Sequence, residues 1–122
     1  MNRITGRSAF LALLKDEGIT HLFGNPGTTE LPIMHALKEH PDLTYVLGLQ
    51  EAIVVAMADG FSRASGRLVA CNVHVAPGLG NAMGSLFNAT LAARRTIRGR
   101  SWSRVTSTAH FTSGVAIGTR ES

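Results

Sequence analysis

One acidic residue of this sequence lies where an ionised side chain is costly. Glu51 stands between the apolar run LTYVLGL (43–49) and a predicted helix, residues 52–65, whose first half is Ala, Ile, Val and Met. A carboxylate that faces an apolar interior loses its hydration unless a partner binds it or it stays protonated. The neighbouring sequence supplies no such partner. Glu51 is therefore a candidate for binding or catalysis.

Polar or glycine-rich residues mark the ends of three apolar runs. GNPG (24–27) follows ITHLF, Gln50 and Glu51 follow LTYVLGL, and HVAPGLGN (74–81) closes the run LVACNVHV. If these runs are parallel strands, the three junctions meet at the carboxyl edge of one sheet, where open α/β sheets bind their ligands. We expect His74 and Glu51 to share a site with residues of the first junction.

The elements that would position this site follow from periodicity and stop signals. Helices are predicted over about 6–17, 30–40, 52–65 and 81–93, and strands over 19–23, 43–49 and 68–75. Thr5 is a candidate N-cap for the first helix, whose buried face is predicted to include Phe10, Leu13 and Leu14. Alternating helices and short apolar strands favour a three-layer α/β/α fold with a parallel sheet.

The excess positive charge of the chain lies entirely in its last third. Residues 1–89 carry six Lys and Arg against seven Asp and Glu, a net charge of −1, whereas residues 90–122 carry six Arg against Glu121, a net charge of +5. A nucleic-acid-binding module would rest on this tail alone, which has little aromatic interleaving. We therefore predict no nucleic-acid partner. No apolar stretch is long enough to span a membrane, so no membrane partner is predicted either.

Two further features bear on compartment and cofactor class. Cys71 is the single cysteine and cannot form an internal disulfide, which is typical of a reducing, cytoplasmic setting; its simplest role is that of a small core residue. GLGNAMG after a strand partly matches a dinucleotide-binding fingerprint, but the third glycine is replaced by Met83. That interpretation is therefore disfavoured.

Four motifs in this order are similar to one family. FGNPGTTELP, YVLGLQEA, ADGFSRASG and NVHVAPGLGNAMGSLFNA resemble the N-terminal pyrimidine-binding domain of thiamine diphosphate enzymes, in particular benzoylformate decarboxylase and the related acetolactate synthases. The resemblance covers about residues 3–90. It implies the thiamine diphosphate-binding fold, an α-keto acid substrate, and an assembly of two or four identical subunits with the cofactor between them.

The resemblance also implies roles for individual residues. Glu51 matches a glutamate that hydrogen-bonds a ring nitrogen of the cofactor's aminopyrimidine and favours its imino tautomer, and burial is expected to raise the pKa of this carboxyl. His74 matches a histidine that assists proton transfer, and Thr28 replaces a serine that contacts the substrate carboxylate. The pyrimidine-side turn and the glycine-rich segment add Asn25, Pro26, Gly27 and Asn81 as candidate cofactor-binding residues.

Each role has a simpler alternative that the sequence leaves open. Glu51 could be an acid favoured by the dipole at the start of a helix, worth about 0.3–1 kcal/mol. His74 could be a core histidine whose ring nitrogens are satisfied. The chain as a whole could be an acetolactate synthase-like carboligase fragment, or a non-catalytic interaction or regulatory fragment that keeps the fold alone.

The resembled enzymes contain parts that this sequence lacks. They hold the diphosphate and Mg²⁺ with a Gly-Asp-Gly motif and a downstream Asn in a second domain, and neither occurs here. We expect residues 1–93 to be an incomplete pyrimidine-binding domain, inactive alone and without a metal site. Residues 94–122 are predicted to be a disordered basic tail. Back-translation yields a family-like strand one frame away, which indicates a frameshift near Arg94 or Arg95.

Overall fold

The computed structural model describes residues 5–96 and 115–118. Its helices are α1 (Gly6–Asp16), α2 (Leu31–Ala36), α3 (Glu51–Ser65) and α4 (Val75–Thr96). Its strands are β1 (His21–Gly24), β2 (Thr44–Leu47), β3 (Val69–Asn72) and β4 (Val115–Gly118). Single 3₁₀ turns, Thr28–Glu30 and Leu37–Glu39, lie on either side of α2.

The strands form one sheet in the order β2-β1-β3-β4. β1 pairs in parallel with both β2 and β3, so the predicted parallel sheet is confirmed. All four residues of β3 are buried, as expected for a strand that helices cover on both faces. The carboxyl ends of β1, β2 and β3 consequently lie at the same edge of the sheet.

Two apolar clusters, one on each face of the sheet, make up the core and confirm the three-layer fold. On one face, α3 and α4 pack against the sheet through Phe23, Val54, Val55, Ala58, Val69, Cys71, Val73 and Ala82. On the other face, α1 and α2 pack through Leu11, Leu14, Ile19, Leu22, Ala36, Leu43 and Ala70. The sheet, and with it the carboxyl edge where the strands end, is thus packed against apolar side chains on both faces.

Helix α1 begins where the sequence predicts, since the Thr5 hydroxyl accepts a hydrogen bond from the backbone N–H of Ser8. The predicted buried face is partly wrong. Leu11 and Leu14 are buried, whereas Leu13 is 53% exposed. Leu11 and Leu14, which are three positions apart, lie on the helix face that packs against the sheet. Leu13, although adjacent to Leu14, lies outside that face.

Helix α4 begins earlier than predicted. It starts at Val75 instead of about residue 81, so the glycine-rich segment forms the first turns of the helix rather than a loop. Pro77 is tolerated there because the first-turn N–H groups have no partner within the helix. Val75 itself has a φ of 46°, which is a strained value for a β-branched residue. His74 and Asn81 are therefore connected by a helix of fixed geometry.

Part of the predicted basic tail is described. Val115–Gly118 forms β4, which pairs antiparallel with β3. Residues 97–114 and 119–122 of the predicted tail lie outside the described residues, and disorder of the tail stays a prediction. In the part of the chain that the structure describes, no helix is both long and apolar enough to cross a membrane.

Candidate active site at the carboxyl edge of the sheet

The three junctions meet as predicted. Asn25 follows β1, Glu51 follows β2 as the first residue of α3, and His74 follows β3. The Asn25 side chain donates a hydrogen bond to Glu51 across 26 positions of sequence. Parallel pairing of β1 with both neighbours brings these residues together, because it aligns the ends of the three strands.

Glu51 is buried, with 6% of its surface exposed, and both of its carboxylate oxygens are engaged. Asn25 Nδ2 donates to Oε1 at 3.2 Å, and Asn81 Nδ2 donates to Oε2 at 3.1 Å. Gln50 is the N-cap of α3 and accepts from the backbone N–H of Ile53, which fixes the start of the helix that carries Glu51. The partner that the local sequence lacks is thus supplied by two distant amides.

These contacts correct our expectation about the charge of Glu51. The hydrogen bond from Asn81, the one from its own backbone N–H and the one from Asn25 hold the pKa of Glu51 below its ordinary value, against the opposing effect of burial. Hydrogen bonds donated to a carboxylate stabilise its ionised form. Burial alone does not decide the protonation state here, because the donors are already in place.

Helix α4 approaches Glu51 closely at a glycine. A Cβ at Gly78 would lie 3.1 Å from Glu51 Oε1 and 3.2 Å from its Cγ. A Cβ at Gly80, two residues later in the same helix, would meet nothing within 4 Å. Gly78 therefore lets the first turn of α4 pack directly against the carboxylate.

His74 has a buried acidic partner that the sequence analysis missed. Its Nδ1 lies 2.8 Å from Oε2 of Glu30 and 3.4 Å from the hydroxyl oxygen of Thr29. The imidazole is partly exposed, with 32% of its side chain accessible. A Cβ at Gly27 would collide with the ring, so the glycine of the first junction makes room for His74.

Glu30 is 3% exposed and is held as a carboxylate. Burial raises its pKa, but hydrogen bonds from Thr29, His74 and the Gly27 N–H together bring that pKa below the ordinary value. One signal for Glu30 exists in the sequence, since an acid three residues after the turn residue Gly27 is typical of a helix start. Its pairing with a histidine 44 positions away has no such local signal.

The structure places the remaining predicted residues less centrally. Thr28 is exposed in the 3₁₀ turn, and its neighbour Thr29 is the residue whose hydroxyl donates to Glu30. Pro26 is partly exposed between Asn25 and Gly27. Across residues 5–96 and 115–118, no group of three or more His, Cys, Asp or Glu side chains could hold a metal ion.

Comparison with known proteins identifies the fold family. Residues 4–97 match the family described as thiamine pyrophosphate enzyme, N-terminal TPP binding domain. The chain belongs to this family. TPP, thiamine pyrophosphate, is the same compound as thiamine diphosphate, so the cofactor class expected from the resemblance is confirmed.

Individual relatives support the same family assignment. The chain is 52% identical over 86 residues to benzoylformate decarboxylase of Pseudomonas aeruginosa, an alignment covering 70% of this chain and 16% of the relative. It is 32% identical over 89 residues to the acetolactate synthase large subunit of Haemophilus influenzae, covering 73% and 16%. The solved structure of a thiamine diphosphate-dependent 4-hydroxybenzoylformate decarboxylase of Rhodococcus jostii superposes with a TM-score of 0.64 at 45% identity, covering 70% and 16%. The chain thus spans about a sixth of the length of these relatives.

The residues around Glu51 fit the pyrimidine part of a TPP cofactor. The Glu51 carboxylate accepts one side-chain amide hydrogen bond at each oxygen and a third from its own backbone N–H, and a carboxylate has about four lone-pair sites. The carboxylate therefore retains acceptor capacity for a ring N–H group. Gly78 adds no side chain beside it, so the TPP-binding domain presents an acid with remaining acceptor capacity and a glycine on one flank.

Proposed function

We propose that this chain binds the aminopyrimidine ring of thiamine diphosphate through Glu51 and supplies the pyrimidine half of the active site of an α-keto acid decarboxylase. The observation that carries the proposal is the buried Glu51 carboxylate, held between two amides at the carboxyl edge of the sheet. When bound, the cofactor supplies an electron sink for the carbon that loses carboxylate. The chain itself supplies binding, orientation and proton transfer.

Glu51 acts as a hydrogen-bond acceptor, and its hydrogen bonds with two amides fix the orientation of its carboxylate. Asn25 and Asn81 each hold one oxygen, so any remaining lone pair points in a direction set by the fold. Because the carboxylate is ionised at neutral pH, it can take a proton from a ring nitrogen and return it without an initial deprotonation. Asn25 and Asn81 thus act as positioning residues for Glu51 as well as cofactor-binding candidates.

His74 is the group we assign to proton transfer at the substrate. It lies at the same sheet edge as Glu51, and its positive form contributes to lowering the pKa of that carboxyl, after the hydrogen bonds to Asn81, the backbone and Asn25. Thr28 is exposed in the 3₁₀ turn that also contains Glu30, the partner of His74, and offers a hydroxyl to a substrate carboxylate. The greater identity to benzoylformate decarboxylase than to the acetolactate synthase favours an aryl α-keto acid and decarboxylation over carboligation.

Assembly into a homodimer or homotetramer belongs to the same proposal. Helix α4 carries Met83 and Phe87 four residues apart, hence on one face, and both are exposed. Large exposed apolar side chains on one helix face support association with another subunit. Mg²⁺ bound with the diphosphate, and a cytoplasmic location, are further parts of this proposal.

A chimera provides the test. The 86-residue segment of the Pseudomonas aeruginosa enzyme that aligns with this chain is replaced by the matching residues of this chain, and CO₂ release from benzoylformate is measured. We expect turnover, and we expect Glu51→Gln to lower it by about 10²-fold or more while thiamine diphosphate still binds. Glu39→Gln, a matched change at an exposed site, is the control.

The outcomes separate the alternatives. Near-normal turnover of the Glu51→Gln chimera would exclude the role assigned to Glu51. An active chimera that forms acetolactate from pyruvate but leaves benzoylformate unchanged would favour the carboligase. A folded chimera that binds no thiamine diphosphate would favour a non-catalytic fragment.

A further inference from the structure

Glu30 combines complete burial with an unusual concentration of donors. A single oxygen, Oε2, accepts hydrogen bonds from the Gly27 N–H at 2.9 Å and the Thr29 hydroxyl at 2.9 Å, and lies 2.8 Å from His74 Nδ1. The Gly27 and Thr29 bonds lie within the turn that starts α2. The contact with His74 joins that turn to the end of β3.

A role in starting the helix does not explain this arrangement. A carboxylate that only caps the turn would accept from Gly27 and could remain at the surface. Glu30 is instead buried, and its Oε1 has no hydrogen-bond partner among the residues that the structure describes. A buried acceptor without a partner lowers stability, and groups of this kind concentrate at functional sites.

The residues around His74 also favour its contact with Glu30. The ring lies over Gly27, where any Cβ would collide with it. Oε2 faces Nδ1, so the other ring nitrogen, Nε2, is the one left for a different partner. The position of the imidazole is therefore fixed by two elements, β1 with its following turn and β3.

We propose that Glu30 is a positioning residue for His74 whose carboxylate keeps the proton on Nδ1, so that Nε2 exchanges a proton with the substrate. An acceptor at one imidazole nitrogen selects the tautomer that has its proton there and leaves the other nitrogen's lone pair available. In the neutral ring, Nε2 takes a proton from a donor; in the charged ring, Nε2 returns it, and Nδ1–H stays bound to Glu30 throughout. The inference rests on the proton-transfer role proposed for His74.

Nuclear magnetic resonance of the ¹⁵N-labelled 122-residue chain tests this without cofactor or turnover. The ring nitrogens of a neutral histidine that bear and lack the proton have widely separated shifts, so the tautomer is read directly. We expect the Nδ1–H form of His74 to predominate. Glu30→Gln should change the tautomer ratio by about tenfold toward Nε2–H, because an amide oxygen is a weaker acceptor than a carboxylate.

Two control variants and two internal reference histidines accompany this measurement. Glu30→Asp retains the charge and should retain most of the Nδ1–H form, whereas Glu39→Gln at an exposed site should change nothing. His35 and His40 serve as internal references in each spectrum. A predominant Nε2–H form in the unsubstituted chain, or an unchanged ratio in folded Glu30→Gln, would overturn the inference. Loss of stability alone moves neither ratio in the folded population.

The test is independent of the proposed function. If the chimera is inactive but His74 has the Nδ1–H tautomer under control of Glu30, the positioning contact stands and the catalytic assignment fails. If the chimera is active but the tautomer does not depend on Glu30, the function stands and the positioning role fails.

Discussion

At the scale of single residues, Glu30 and Glu51 are two buried carboxylates whose hydrogen bonds come mainly from uncharged groups. Amides hold Glu51, whereas a backbone N–H, a hydroxyl and an imidazole hold Glu30. Such donors stabilise the ionised form without a permanent positive charge, which would lower the pKa of each carboxyl further. Both carboxylates are thereby kept ionised at neutral pH and remain hydrogen-bond acceptors.

Asn81→Ala should destabilise the protein at neutral pH by about 1–3 kcal/mol, because it leaves a buried carboxylate oxygen without its donor. Glu51 has a folded-state pKa below its ordinary 4.5, so the stability it contributes is present above that pH and is lost as pH falls. The cost of Asn81→Ala should therefore shrink in acid. Urea unfolding at neutral and acidic pH measures it, with Asn88→Ala, exposed on the same helix, as control. A cost independent of pH would contradict the prediction.

His74→Ala in the chimera should lower turnover by about 10²-fold or more if the ring is a general acid–base group. His35→Ala, which removes an exposed ring of α2 remote in sequence from the β3 junction, is the control. Steady-state CO₂ release and thermal unfolding are measured together. A variant that loses only thermal stability and keeps its turnover would establish the simpler structural role for His74.

At the scale of elements, the start of α4 determines the geometry of the site. Because the helix begins at Val75, directly after β3, Gly78 and Asn81 lie one turn apart on the same helix. Gly78 approaches Glu51, and Asn81 donates to it. A flexible loop over the same residues would need to order itself before each binding event. The helix avoids that entropic cost.

Gly78→Ala and Gly80→Ala make a matched pair in this helix. Alanine in a helix interior is favoured over glycine by about 0.5–1 kcal/mol, and Gly80 has open space for the methyl group. We expect Gly80→Ala to be stabilising. Gly78→Ala should lose that gain and weaken thiamine diphosphate binding by about tenfold, since its Cβ displaces Glu51. Unfolding and calorimetric titration compare the two, and equal effects would contradict the role of Gly78.

The sequence predicts the elements whose signal is local. The three strands are apolar runs bounded by turn residues, and α1 has both an N-cap and a glycine stop, so their locations are confirmed to within a few residues. The start of α4 is missed because APGLG has the composition of a loop, and in the folded chain tertiary packing overrides that local preference. The contact between Glu30 and His74 is missed because two residues 44 positions apart in sequence produce no local or periodic pattern that predicts their pairing.

At the scale of the molecule, the described surface is unevenly apolar. Phe87 is 63% exposed on α4, and two apolar side chains near Glu51 in sequence are also exposed, Leu49 just before α3 and Ile53 in its first turn. Exposed apolar groups this large next to a candidate site indicate a surface that another subunit covers. Leu13, which is also exposed, belongs to α1 in the opposite layer.

Phe87→Asp should therefore weaken self-association, because it places a charge on an apolar interface. Leu13→Asp, at a similarly exposed leucine of the opposite layer, is the control and should leave association unchanged. Sedimentation velocity over a concentration series measures both. Equal dissociation of the two variants, or a strictly monomeric unsubstituted chain, would contradict association through α4.

The strand order β2-β1-β3 has a consequence for how the site comes into existence during folding. The contacts that build it join residues 26, 30 and 44 positions apart, so each requires closure of a long loop. Local helices form before such loops close, and the rate of closure falls as sequence separation grows. Glu51 thus acquires Asn81, and His74 acquires Glu30, only when the third strand has docked beside the first. Ligand affinity and the last long-range step of folding then arise together, and a ligand that binds at this edge stabilises the fully folded chain by mass action.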